Sequence, residues 1–130
     1  MTVTRQQGTN PPTKEQQRAA DAWRCSEGCV PGYDKVAKSV PALIMTSGLM
    51  QTIAFLEDKG NQNGGQDLNR QLRRWLAREF PDVFNGAEYE PFMEALVQAD
   101  PERFQAITAE ARAWLRWLRQ IAPTRAPANG

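Results

Sequence analysis

Hydrophobic residues recur along this chain at helical rather than strand spacing, and one run departs from both. From Val40 to Leu56 no charged side chain occurs. At about 100° per residue its apolar positions fall on every side of a helical wheel. A helix apolar all round is a buried central element or a membrane span. Thr46, Ser47, Gly48, Gln51 and Thr52 interrupt the run, and Lys38, Glu57, Asp58 and Lys59 bracket it; a span needs about 20 mostly apolar residues. The pattern predicts a buried central helix over residues 40–59, with Pro41 in its first turn, where a missing N–H costs little. Gly48 then falls mid-helix at a cost of about 1 kcal/mol relative to alanine. Close approach of a second helix to the backbone would offset that cost, so bulky substitutions there should overpack.

The other elements follow from the same spacing. Thr13 with Gln16 three residues on is a capping-box pattern, opening a helix through Ala19, Ala20, Ala22 and Trp23 that ends near Gly28. Tyr33 to Ser39 form a short helix. Gly60 to Gln66 read as a loop, after which Asp67 caps a helix carrying Leu68, Leu72, Trp75 and Leu76 and stopped by Pro81. A further helix spans about Glu88 to Ala99, with Phe92, Met93 and Leu96 as its apolar side. Asp100-Pro101 reads as N-cap and first position of a long last helix. Its stripe is Phe104, Ile107, Ala111, Trp114, Leu115, Leu118 and Ala122, and Pro123 ends it. No segment alternates with period two. The expected fold is all-α: a compact single-domain bundle of five to six helices over residues 13–122, around the central helix, between disordered tails at 1–12 and 123–130.

Composition narrows the function classes. At 130 residues the chain fits one domain, able to bury roughly two-thirds of its unfolded surface. Sixteen basic and fifteen acidic residues leave a net charge of +1, so attraction for nucleic acid must come from local patches. The polar first twelve residues lack the apolar core of a signal peptide, which points to the cytoplasm and to free thiols at Cys25 and Cys29. Histidine is absent, removing Ser–His–Asp and Cys–His nucleophile systems. Two cysteines supply only half a zinc site, and their three-residue separation is not the tighter redox or zinc spacing. Gly64-Gly65 lacks the Gly-Lys-Ser/Thr that completes a phosphate-binding loop. No catalytic residue, metal site or cofactor is expected.

Charge patterning carries the binding information. Arg70, Arg73, Arg74 and Arg78 form a run without an intervening acid, expected to face outward together, away from Leu68, Leu72 and Trp75. Arg112, Arg116 and Arg119 make a second stripe within about 60°. Lys14 with Arg18, and Lys35 with Lys38, are smaller pairs. Each group reads alternatively as a solvated helix face. Two features favour binding: twelve of the sixteen cations are arginine, the better phosphate fork, and a run of four is unusual at this net charge. The acids are segregated, six carboxylates from Glu88 to Glu110 against Arg103 alone. Such a molecule suits a head-to-tail contact between copies, with Glu88, Glu90 and Glu94 on one side and Arg112, Arg116 and Arg119 on the other. Intramolecular pairing between helices is the simpler alternative. Trp117 lies off the last helix's stripe, either edge-buried or an anchor for a neighbouring subunit.

Pro41-Ala42-Leu43-Ile44, Gly48-Leu49, Gln51-Thr52 and Ala54-Phe55-Leu56, followed by Lys59-Gly60, resemble the signature of the small subunit of the type III-B (Cmr) CRISPR effector complex. Tyr33 with Lys35 and Lys38, the first-helix residues Glu15, Arg18, Ala19, Ala20 and Ala22, and Trp114-Leu115-Arg116 extend the likeness over most of residues 13–121. Ser47 departs from the family, which usually has Asn there, and the Cys25–Gly32 segment is more irregular. The resemblance implies a non-enzymatic antiviral ribonucleoprotein subunit, partnered by other Cmr subunits, guide RNA and target RNA. It also implies copies stacking head to tail along the RNA groove. Sequence specificity there is left to base pairing, and the protein handles the backbone. The expected RNA contacts are the Arg70–Arg78 run, then Arg18, Lys35 and Lys38. The alternative is a stand-alone helical adaptor that binds only protein.

Overall fold

The computed structural model describes residues 10–127. Among these the chain forms helices α1 (Lys14–Cys25), α2 (Tyr33–Ser47), α3 (Leu49–Lys59), α4 (Gly65–Glu79), α5 (Tyr89–Gln98) and α6 (Pro101–Arg125), with a 3₁₀ turn at Gln62–Gly64 and no strand. Of the tails expected to be disordered at 1–12 and 123–130, residues 1–9 and 128–130 lie outside the described residues, and residues 123–125 are helical, as the end of α6.

The start signals act as the sequence implies. Thr13 accepts from the Gln16 amide at 3.1 Å while its own N–H donates to Gln16 Oε1 at 2.8 Å. Asp100 accepts from the Arg103 N–H at 2.8 Å. Asp67 is not the cap of its helix: α4 starts two residues earlier, at Gly65, and the Asp67 N–H donates to Asn61 Oδ1 at 3.0 Å.

The continuous helix expected over 40–59 is two helices. Gly48 has φ 86° and ψ 165°, a conformation essentially reserved for glycine, and it ends α2 as it begins α3. Pro41 sits inside α2, so Tyr33–Ser39 and residues 40–47 are one helix rather than two. The two segments explain the all-round wheel. Separately, α2 buries Tyr33, Ala37, Val40 and Ile44, and α3 buries Leu49, Thr52, Ile53 and Leu56. Each is an ordinary single stripe, leaving Met45 71% and Phe55 47% exposed. No atom beyond its own neighbours lies within 4 Å of a Cβ placed on Gly48, so the expected tight helix crossing does not exist there.

The spine of the bundle is α6, which packs along α1 and α2, while α4 lies against α2, α3, α5 and α6. Trp75, Trp114, Tyr33 and Phe92 fill the centre, and Phe84 stacks on Phe92 at 4.0 Å between ring centres. Helix α6 runs past Pro123 to Arg125. Its last turn docks on the end of α1, where the Arg125 guanidinium lies 3.9 Å from the Trp23 ring centre and donates to the Trp23 carbonyl at 3.1 Å.

Candidate nucleic-acid interface

Helix α6 buries Ile107, Ala111, Trp114, Leu115, Leu118 and Ala122, which turns Arg112, Arg116 and Arg119 to the opposite side. On α2, burial of Ala37, Val40 and Ile44 likewise turns Lys38, Ala42 and Met45 outward, with Pro41 beside them. Because α2 and α6 pack together, the two stripes border one open groove of about 300 Å³, lined by Lys38, Pro41, Ala42, Met45, Arg112, Arg116 and Arg119. Among the described residues none of its four cations has a carboxylate within ion-pair distance. Lys38 and the last-helix arginines, separate candidates in the sequence, therefore belong to one surface.

The Arg70–Arg78 run is less uniform than expected. Arg73 is buried, at 6% exposure, instead of facing outward with the other three. Its Nε donates to the Ala87 carbonyl at 2.8 Å and its Nη1 to Glu57 at 3.1 Å, with the Tyr89 ring alongside. Arg70 pairs with Asp67 at 2.8 Å, and Arg78 lies over the Trp75 ring. Arg74 is exposed, in a cleft it shares with Glu57 and Glu88. Arg70 and Arg73 are thus paired within the fold, while Arg74 enters none of the ion pairs among the described residues.

Arg18 is also committed within the fold. Its Nε and Nη2 donate to the two Glu110 oxygens at 2.8 Å each, and its Nη1 meets Glu15 at 3.0 Å. The Glu110 hydrogen bond holds Arg18 above its ordinary pKa. Burial alone would raise Glu110, but the hydrogen bonds from Arg18 and Trp75 outweigh it and hold the carboxyl below its usual value. The Trp75 indole donates to Glu110 at 3.0 Å, and Trp114 donates to Asp21 at 2.8 Å. Trp117 takes the edge-buried option: it packs against the core and donates its indole N–H to Glu15. Lys35, Glu88, Glu90 and Glu94 take part in none of the ion pairs among the described residues. Pairing between helices of one molecule therefore does not account for the α5 acids or the α6 arginines.

Sequence reasoning missed the apolar wall of the groove. Its signal was the step from Lys38 to Ala42 to Met45, masked by the assumption of one buried helix. Cys25 is buried, Cys29 is partly so, and both are free. Among the described residues no His, Cys, Asp or Glu cluster could hold a metal ion, and no helix is long and apolar enough to cross a membrane.

The described residues thus form a small all-α bundle with an open groove bordered by four cations that enter none of its ion pairs. The family model for CRISPR-associated protein Cas_Cmr5 matches residues 14–124. This chain belongs to that family and is a small subunit of the type III-B (Cmr) CRISPR complex, associating with other Cmr subunits. The crystal structure of a CRISPR-associated Cmr5 family protein from Thermus thermophilus shares its fold. The TM-score is 0.66 at 21% identity, covering 89% of this chain and 100% of the other. No curated protein matches the sequence.

Proposed function

We propose that this subunit contributes RNA-backbone binding and no bond chemistry to its complex, and that it does so in the cytoplasm. The observation supporting this reading is the α2–α6 groove, with Lys38, Arg112, Arg116 and Arg119 around it and no acid among the described residues paired with them. Phosphates are the natural counter-charge for such a row, and backbone contacts carry no sequence information. Lys35, on the same helix as Lys38, extends the cationic surface. Arg70 and Arg78, which pair with Asp67 and lie over Trp75 respectively, are secondary contacts, and Arg74 is a further exposed candidate.

Four phosphate contacts correspond to a slope of about three in log K against log salt for a single strand, at about 0.7 per contact. Replacing Arg112, Arg116 and Arg119 together with glutamine should flatten that slope to below about one while leaving the helical circular dichroism unchanged. Identical salt titrations of wild type and variant would remove the groove from RNA binding.

A second reading has its own observation: Glu88, Glu90 and Glu94, at and along α5, enter none of the ion pairs among the described residues. On this reading the groove receives α5 of the next copy, and copies stack head to tail. The same triple variant would then lose self-association in sedimentation and keep its RNA affinity.

A further inference from the structure

We infer that the α2–α6 groove is built for an unpaired RNA strand rather than for a duplex, with Met45 contacting the base or ribose edge. The inference rests on the reading of this groove as an RNA site and adds which form of RNA it takes.

The two walls differ in chemistry. On the α6 side are Arg112, Arg116 and Arg119; on the α2 side, after Lys38 at one end, are Pro41, Ala42 and Met45. Each stripe spans seven residue steps, about 10 Å of helix axis. A stripe of that length meets only a few phosphates of one strand. An unpaired strand has an anionic edge and, across from it, bases and riboses with apolar faces, which matches a groove cationic on one wall and apolar on the other. A duplex stacks its bases inside and turns two rows of phosphate outward, so it would leave the apolar wall facing phosphate or water.

Met45 is the side chain that separates these cases. It is 71% exposed, so it contributes little to the core, and its flexible thioether adapts to irregular partners. The groove's volume of about 300 Å³ is at the low end of the small-ligand range, about 300–1,000 Å³. That is room for a nucleotide-sized part of a strand.

The experiment compares the full-length chain with Met45→Gln, Met45→Leu and Arg116→Gln. Each is titrated at one low salt concentration with a short oligouridylate and with a blunt RNA duplex of the same length. The wild type should prefer the oligouridylate. Met45→Gln should weaken that binding about fivefold, as expected for losing part of a buried apolar side chain, and leave duplex binding unchanged. Met45→Leu should retain wild-type affinity, and Arg116→Gln should weaken both ligands. If Met45→Gln affects both RNAs equally or neither, the single-strand inference fails while the groove remains an RNA site. If Arg116→Gln changes neither, or the wild type binds neither, the reading beneath it fails as well. A Met45→Gln variant altered only in self-association would assign this wall to protein and overturn the inference.

Discussion

Truncating Glu110 to alanine should cost this small fold a large fraction of its stability. The carboxylate lies where α1, α4 and α6 meet, accepting both prongs of the Arg18 guanidinium at 2.8 Å and the Trp75 indole N–H at 3.0 Å. Trp75 is buried and would lose its acceptor, while Arg18, 17% exposed, would keep only its contact with Glu15 at 3.0 Å. A hydrogen bond to a charged group contributes about 1.5–3 kcal/mol, and removing one partner of a buried pair costs about 3–5 kcal/mol. Residual solvent access places Glu110→Ala near the lower end, about 3 kcal/mol, against a total of about 5–15 kcal/mol for a domain. The melting temperature should fall by about 10 °C. Because the folded carboxyl titrates below its ordinary value of 4.5, its contribution is complete above that value. It is lost as pH falls through the lower folded pKa. Urea unfolding followed by circular dichroism should therefore show a wild-type-to-variant gap that is full at neutral pH and narrows as the pH falls below 4.5. Glu110→Gln, which keeps an acceptor for Trp75 but no charge, should fall between. A gap under about 1 kcal/mol at neutral pH, or one unchanged in acid, would show that the fork is not made in solution.

Gly48→Ala and Gly48→Leu should destabilise the protein by a similar amount, about 1–3 kcal/mol, because the cost is the backbone conformation and space around the position is open. A leucine variant far less stable than the alanine variant in thermal melts would restore the overpacking explanation. Burial pushes the Cys25 thiol up to about 12, so at mildly alkaline pH a thiol reagent should modify the less buried Cys29 first and Cys25 only on unfolding. Equal rates would contradict that order.

Local signals were the legible part of this fold. Thr13 with Gln16, Asp100 with Pro101, and the stripe from Ile107 to Ala122 are written within a few residues of where they act. Gly48 was legible too, but as a glycine to be tolerated rather than as a stop. Helical periodicity assumes one continuous phase, and a single positive φ resets it, so two one-sided helices looked like one apolar cylinder. Arg73 was misplaced for a different reason. Its position beside Leu76 is a matter of tens of degrees, and what buries it comes from elsewhere: Glu57 on α3 and the Ala87 carbonyl in the loop before α5. The groove was half legible, since the α6 arginines and Lys38 could be read separately while the Ala42–Met45 wall could not. Their meeting depended on the packing of α2 against α6, which neither stripe encodes.

That meeting has a consequence for how many copies persist. Arg112 and Arg116 stand one helical turn apart, Arg119 follows, and Lys38 borders the same groove. Like charges at such spacing each cost a few tenths of a kcal/mol, and no acid among the described residues pairs with them. The free chain therefore keeps an electrostatic stress that any polyanion or acidic surface filling the groove relieves. Occupancy then adds stability by mass action, about 2.7 kcal/mol at a hundredfold excess over Kd. On the proposed reading of the groove, a copy whose groove is empty lacks that increment and should unfold the more readily. Under that proposal the unpaired charges tie the stability of each copy to the occupancy of its groove.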